Sequence, residues 1–348
     1  MEKTTDILII GAGPVGLFTV FEAGLLGLDC ILVDNLDKVG GQCIELYPEK
    51  PIYDIPGVAL QTAKEHVEAL MEQIKPFNHE IFLNERVDII EELDIDGEEI
   101  SSWKVTTSEN NIFIAKSIFI AAGAGSFEPR RPVNIENPDD YLGKGVSYAV
   151  REKEKFKDKD LVIFGGGDSA LDWSVDLVDI AKSIKLVHRR DDFRGAPNTE
   201  NQMRELVEQG KIELKTPFVI EDLIGKEKIE SVKIKDFKTQ EIEEIKCDEI
   251  LFLFGLNKKL GPITDWNIDV KDKKVPVDTE KFETSTKGIF AVGDINDYPG
   301  KLDLILCGFH ETTLAVQEAY RRSFPGERVP FGYTTSNTKL QKKLGVIN

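Results

Sequence analysis

Cysteine is scarce in this chain of 348 residues: Cys30, Cys43, Cys247 and Cys307 lie 13, 204 and 60 positions apart. No pair has C-x-x-C or metal-ligand spacing, which excludes a sequence-adjacent redox dithiol and a cysteine-built zinc site. Isolated reduced thiols are the expectation. Histidine is equally sparse, with His66, His79, His188 and His310 scattered, so a protein-built metal centre is not expected. No apolar run approaches the ~18 residues of a membrane span. The opening "MEKTTDILIIGAG" lacks the small-residue cleavage site of a signal peptide, so no membrane partner and a cytoplasmic location are expected. Positive charge is also short, 44 Lys and Arg against 62 Asp and Glu, a formal net charge of −18. That balance argues against nucleic acid as a partner and favours solubility.

What is present suits a globular protein of two domains, because the length exceeds the roughly 100–200 residues usual for one. Apolar residues at 41% and charged residues at 30% provide enough material for two cores. The coarse pattern is strand 6–10, helix 14–27, strand 30–34, a Gly- and Pro-rich loop, a helix near 61–76, and strands near 80–91, 102–107 and 112–120. After "AAGAG" (121–125) a second alternation begins: strand 161–164, helix 168–181, strand 184–188, helix 199–209, and strands near 212–216, 229–236 and 247–254. Strand 288–292 and a helix near 304–322 complete the chain. Strands alternating with helices in βαβ order imply parallel sheets covered by helices, an α/β fold class. The organisation is duplicated, since "ILIIGAGPVG" (7–16) and "LVIFGGGDSA" (161–170) play the same part.

In the first of these, Gly11, Gly13 and Gly16 form G-x-G-x-x-G directly after an apolar strand. The first glycine permits a tight turn, the second lets the backbone approach a pyrophosphate, and the third allows close helix–strand packing. The anion then rests on free N–H groups at the helix start. Asp34 ends the next strand, 21 residues after Gly13, where a carboxylate can accept from ribose hydroxyls. An adenine dinucleotide is expected there.

The second turn has Gly165, Gly167 and Ala170 in the same places, but its next strand ends in "VHRRDDFR" rather than an acid. Arg189 falls 22 residues after Gly167, with Arg190 and Arg194 close behind. Guanidinium forks at that position suit a 2′-phosphate and point to NADP(H) rather than NAD(H). The competing reading is a solvated basic loop neutralised by Asp191 and Asp192. Two sites with different strand ends suggest a tightly held flavin and a diffusing nicotinamide cosubstrate. "KGIFAVGDIND" (287–297), a strand ending in Gly293-Asp294, suits the ribityl chain of such a flavin, although it is also a common loop.

With these stretches in place, the chain resembles the two-domain flavoproteins that include thioredoxin reductases. The redox C-x-x-C of those enzymes is replaced by Ser147, Tyr148, Ala149 and Val150, which makes a dithiol relay impossible there. The match is nearer to the thioredoxin-reductase-like ferredoxin–NADP(+) reductases. It rests on "GGQCIELYPEKPIYDIPG" (40–57), "GGGDSALDW" (165–173), "HRRDDFR" (188–194), "GDINDYPGKLDLI" (293–305) and "YTTS" (333–336).

The resemblance implies two Rossmann-like domains. An FAD domain would be formed by 1–123 and 256–348, the latter including a flavin-covering tail, and an NADP domain by 124–255. It implies FAD contacts from Gly11, Gly13, Gly16, Asp34, Gln42, Tyr47, Val87, Phe127, Asp294 and Thr335, with Tyr47 and Tyr333 over the two flavin faces. Without the resemblance, both tyrosines read equally well as packing residues. For NADP(H) it implies Gly165, Gly167, Asp168, Ser169, His188, Arg189, Arg190 and Arg194. Hydride would pass to flavin N5 and single electrons onward to ferredoxin or flavodoxin, in a homodimer, with no acid–base side chain required. An acidic carrier would need a local basic patch, for which Arg321, Arg322, Lys339, Lys342 and Lys343 are candidates. Reduction of a low-molecular-weight disulfide or quinone, plain NADPH oxidation, and non-enzymatic NADPH sensing are the alternatives. Disulfide reductases of similar type carry a cysteine where this chain has Pro14 and Val15.

Overall fold

The computed structural model of the chain describes residues 1–94, 101–330 and 333–347. Two compact units emerge, one from Met1–Ser126 with Lys258–Asn348, the other from Phe127–Asn257. These divisions fall two or three residues beyond the expected 123/124 and 255/256. The loop 121–125 after the strand Ile112–Ile120 belongs to the first unit, and the chain re-enters that unit within the strand Leu256–Lys259.

The first unit is built on a sheet in the order His79–Phe82, Cys30–Val33, Glu2–Ile10, Ile112–Ile120, Ser102–Thr107, Val87–Leu93, with Ile289–Ala291 also paired to Ile112–Ile120. Pairs around the central strand are parallel, and the last three form an antiparallel meander. The apolar run of the first strand is continuous because both faces are covered. Ile7 and Ile9 join one core with Leu17, Val20 and Val316, while Leu8 and Ile10 join a second core with Val105 and Phe113. Cys30 and Leu32 alternate with Ile31 and Val33 in the same way, as the pleat requires.

The second unit has a five-stranded parallel sheet in the order Val146–Ser147, Glu249–Phe252, Asp160–Phe164, Ser183–Val187, Ile212–Lys215. An antiparallel sheet of Phe218–Gly225, Ile229–Asp236 and Ile242–Lys246 contributes Ile220, Val232, Ile234 and Ile245 to a core shared with Val162, Phe164, Ile250 and Phe252. In each unit the strand before a glycine turn is flanked by parallel strands reached in opposite directions. That is the switch point at which α/β sheets bind ligands.

Three expectations change. The strand near 80–91 is two strands, because Asn84 turns the chain at φ +56° and Glu85 N–H closes on the Asp34 carbonyl. The helix expected over 168–181 ends at Asp176, and the strand expected over 247–254 starts at Glu249. Phe218–Gly225 was missed because its register shifts between Ile220 and Asp222, which breaks the period-two alternation.

Candidate functional site

In the first unit the turn between Glu2–Ile10 and the helix Pro14–Leu25 is held so tightly that a Cβ on Gly16 would lie 1.9 Å from the Gly11 carbonyl oxygen. A Cβ on Gly11 would lie 2.5 Å from the Ala121 oxygen. Gly13 differs, since a Cβ there would meet nothing within 4 Å among the described residues. One side of the turn is therefore open at the residue where a pyrophosphate needs access to bare backbone. Pro14 occupies the first helical turn and no side chain caps it, so its N–H groups remain available for an anion. The helix Ala63–Ile74, in contrast, closes its own start with a Thr62–Glu65 capping box.

Asp34 stands beside this opening. Its Oδ2 accepts from Ala12 N–H at 2.7 Å and its Oδ1 from Leu36 N–H at 2.9 Å. Burial pushes its carboxyl above the usual range, against the lowering pull of backbone donors. A carboxylate offers about four acceptor positions, and Asn35 N–H also donates to this one, so about one remains for a ribose hydroxyl. Gln42 opens the short helix Gln42–Glu45, and a Cβ on Gly123 would be 3.4 Å from its Nε2. The half-buried Tyr47 phenol accepts from Cys43 Sγ at 3.7 Å. Burial raises its pKa, and so do negative charges including Asp294 and Asp54. Tyr47 and Asp294 are thus close enough to influence one another.

Other expected residues sit differently. Val87 is 3% exposed and is committed to the core with Trp103, Val105 and Phe113. The side chain of Phe127 lies outside the described residues. Tyr333 is 73% exposed and Thr335 is exposed, while the tail is anchored further on by Leu340 in the core and Lys343 over the Phe77 ring.

In the second unit a cavity of about 750 Å³ runs over the glycine turn and the end of the next strand. Its wall includes Gly165, Gly167, Asp168, Ser169, His188, Arg189, Arg190 and Arg194. A Cβ on Gly165 would lie 2.6 Å from the Leu253 oxygen, whereas one on Gly167 would meet nothing within 4 Å, repeating the pattern of the first turn. The helix Asp168–Asp176 likewise starts without a side-chain cap.

The basic loop folds back over this turn. Arg194 N–H donates to the Gly166 carbonyl at 2.8 Å, and Ala196 N–H donates to Asp168 Oδ1 at 2.8 Å. The His188 ring lies on Gly166 and stacks on Phe193 at 5.3 Å, with Arg204 above Phe193 at 5.5 Å. Burial and the neighbouring Arg189 lower the His188 pKa. Asp191 does not neutralise the arginines, because its carboxylate pairs with Lys238 at 3.0 Å. Arg189, Arg190 and Arg194 have no ion-pair partner among the described residues.

Three contributors were missed from sequence. Phe193 fixes the loop, and Arg130 and Arg131 line the same cavity. "PRRP" (129–132) was a visible basic pair, but nothing in its spacing linked it to the turn. Three members of the expected basic patch in the tail are engaged elsewhere. Arg321 pairs with Glu318, Arg322 is clamped on the Lys116 and Ser101 carbonyls, and Lys343 covers Phe77. The side chain of Lys339 lies outside the described residues.

The four cysteines are free, and Cys30, Cys43 and Cys247 are buried. Burial pushes Cys43 up to about 11 and Cys247 up to about 12, and it raises Cys30 further. No group of three or more metal-ligating side chains occurs among the described residues, and no described helix is long and apolar enough to cross a membrane.

Two open glycine turns, each following a strand flanked by parallel neighbours, define a protein with two Rossmann-like dinucleotide sites. Residues 5–319 match the model of the pyridine nucleotide-disulphide oxidoreductases, and the chain belongs to that family. It is 53% identical over 344 residues to a protein of a Bradyrhizobium species named ferredoxin–NADP reductase, covering 98% of each chain. A protein of the same name from Mesorhizobium japonicum is 53% identical over 345 residues, 99% of this chain and 98% of the relative. Among solved structures, thioredoxin reductase of Lactococcus lactis superposes with a TM-score of 0.74 at 26% identity, over 91% of this chain and 98% of that one.

Proposed function

We propose that this chain is an FAD-dependent oxidoreductase that exchanges electrons between NADP(H) and ferredoxin, with flavodoxin as a second carrier. The first unit would hold FAD and the second NADP(H), with the crossings at 126/127 and 257/258. When bound, FAD supplies the redox chemistry, a two-electron exchange with the nicotinamide and one-electron exchange with the carrier.

The chain's own residues bind and orient. Gly11, Gly13 and Gly16 with the start of Pro14–Leu25 would receive the FAD pyrophosphate, and Asp34 would accept from its ribose. Gln42, Tyr47 and Asp294 would face the flavin, and Tyr333 and Thr335 would approach it from the tail. In the second unit Gly165, Gly167 and Ser169 would take the NADP pyrophosphate. Asp168 would steady the loop that carries Arg194. Arg189, Arg190 and Arg194 would grip the 2′-phosphate. The reading extends to a cytoplasmic homodimer.

The observation that carries this reading is the set of three arginines without an ion-pair partner among the described residues, while the nearby Asp191 is taken by Lys238. A charge-assisted hydrogen bond contributes about 1.5–3 kcal/mol, reduced here by exposure to about 1.5. Arg189→Ala and Arg190→Ala should each raise the KM for NADPH about tenfold and leave the KM for NADH unaltered. An unchanged NADPH/NADH preference would refute the phosphate assignment. Turnover compared on ferredoxin, flavodoxin, low-molecular-weight disulfides and oxygen decides the acceptor.

A further inference from the structure

Glu311 lies in the helix Ile305–Ser323 with its side chain fully enclosed, at 0% exposure. Its Oε2 accepts from Gly293 N–H at 2.6 Å and from Asn296 Nδ2 at 2.8 Å. Its Oε1 accepts from the Tyr298 hydroxyl at 2.9 Å and from Lys301 Nζ at 2.6 Å. Lys301, 3% exposed at its side chain, also donates to the Gly293 carbonyl at 2.9 Å.

All four donors come from one short stretch, 293–301, and that stretch contains Asp294. It is seated on the first glycine turn's helix, because a Cβ on Gly293 would lie 3.3 Å and one on Gly308 2.4 Å from Val15 Cγ2. Burying a carboxylate is costly unless every lone pair is used, and here one ammonium and three neutral donors use them. An ion pair of this kind is often no more stabilising than a well-packed apolar pair, so stability alone does not explain its presence.

We infer that Lys301 and Glu311 are a positioning pair that presets Gly293–Asn296, and with it Asp294, against the FAD site, and that their mutual neutrality sets the local field there. The inference rests on the reading that the first unit holds FAD. Neutralising one member leaves the other's charge uncompensated in a region of low dielectric, with a sign known in advance.

Three variants of the holoprotein test it, each followed by the rate of FAD release on dilution and by reductive titration against reference dyes. Tyr298→Phe removes one neutral hydrogen bond and should speed FAD release about fivefold with no change in midpoint potential. Glu311→Gln leaves the Lys301 charge alone, which favours the more negative reduced cofactor. It should release FAD at least about tenfold faster and shift the potential positive. Lys301→Met with Glu311→Gln should bring the potential back to the wild-type value while release stays fast. Wild-type release from Tyr298→Phe, or a potential in Glu311→Gln that is unmoved or more negative, overturns the inference. If Glu311→Gln does not fold, wild-type release from Tyr298→Phe or an altered potential in the double variant still overturns it. A wild-type protein purified without flavin would instead overturn the FAD assignment itself.

Discussion

Gly166→Ala tests whether the second glycine turn and the arginine loop are one mechanical unit. The new methyl would sit 2.3 Å from His188 Cε1 and 2.4 Å from both ring nitrogens, where ordinary contact is 3.4–4 Å. The ring must therefore retreat by about 1 Å, which overpacked sites resist. Retreat is obstructed on two sides. Phe193 stacks on the ring at 5.3 Å, and the His188 backbone is fixed by its N–H to Lys215 O at 3.0 Å and its carbonyl to Phe218 N–H at 2.9 Å. Overpacking of this kind costs about 1–3 kcal/mol, and a half-buried ring should fall near the lower end, about 1–2. For a unit of this size that corresponds to a Tm lowered by about 4–8 °C. Because Arg189 and Arg190 follow His188 directly, the displaced ring also misaims them, and 2′,5′-ADP should bind about tenfold more weakly by isothermal titration. The FAD content should not change, since every atom in the clash belongs to the second unit. Adding His188→Ala removes the obstruction and should recover most of the stability, a coupling of about 1 kcal/mol or more in the double-mutant cycle. Unchanged Tm and affinity in Gly166→Ala, or strictly additive effects in the double variant, would refute the reasoning.

Glu22, on the helix Pro14–Leu25, is pushed from 4.5 up to about 7 by burial. The native state therefore holds its proton more tightly than the unfolded chain, and stability falls as pH rises from about 4.5 to 7. The full shift would be worth about 3 kcal/mol, and remaining solvent contact brings this to about 2. Glu22→Gln should accordingly raise the Tm at pH 8 and leave it unchanged at pH 4 in thermal scans, and an equal gain at both would contradict the burial argument. Asp168→Ala removes the acceptor for Ala196 N–H and should raise the NADPH KM about fivefold, the equivalent of about 1 kcal/mol. Asp168→Asn keeps an acceptor oxygen and should behave as wild type, so equal impairment of both in steady-state assays would show that the charge, not the tether, matters.

Local chemistry made the two turns legible because each is a contiguous string in which every glycine has its own steric reason. The structure assigns those reasons atom by atom: a carbonyl that would be struck at Gly11, Gly16 and Gly165, and open space at Gly13 and Gly167. The second-strand ends were legible for the same reason, with Asp34 accepting backbone donors beside one turn and the arginines lining the cavity over the other. What stayed hidden depends on contacts between distant segments. Arg322 reads as a surface charge in "YRRS" and is in fact spent on the Lys116 and Ser101 carbonyls, 206 and 221 positions away. Lys301 and Glu311 are ordinary charges in sequence, and only folding encloses them. Phe218–Gly225 escaped because its bulge scrambles the alternation by which strands are recognised.

The family's name includes disulphide chemistry, and the buried thiols of this chain are poorly suited to it. A relay thiol must ionise near neutral pH and needs a partner close enough to bridge. Cys43 lies beside Tyr47, yet burial pushes it up to about 11 and its hydrogen goes to that phenol. Cys247, the cysteine of the second unit, is held at about 12. Electrons that leave a flavin here therefore find no readily ionised thiol at Cys43 or Cys247 on which to pause. A one-electron carrier such as ferredoxin can take them directly and requires no covalent intermediate on the protein.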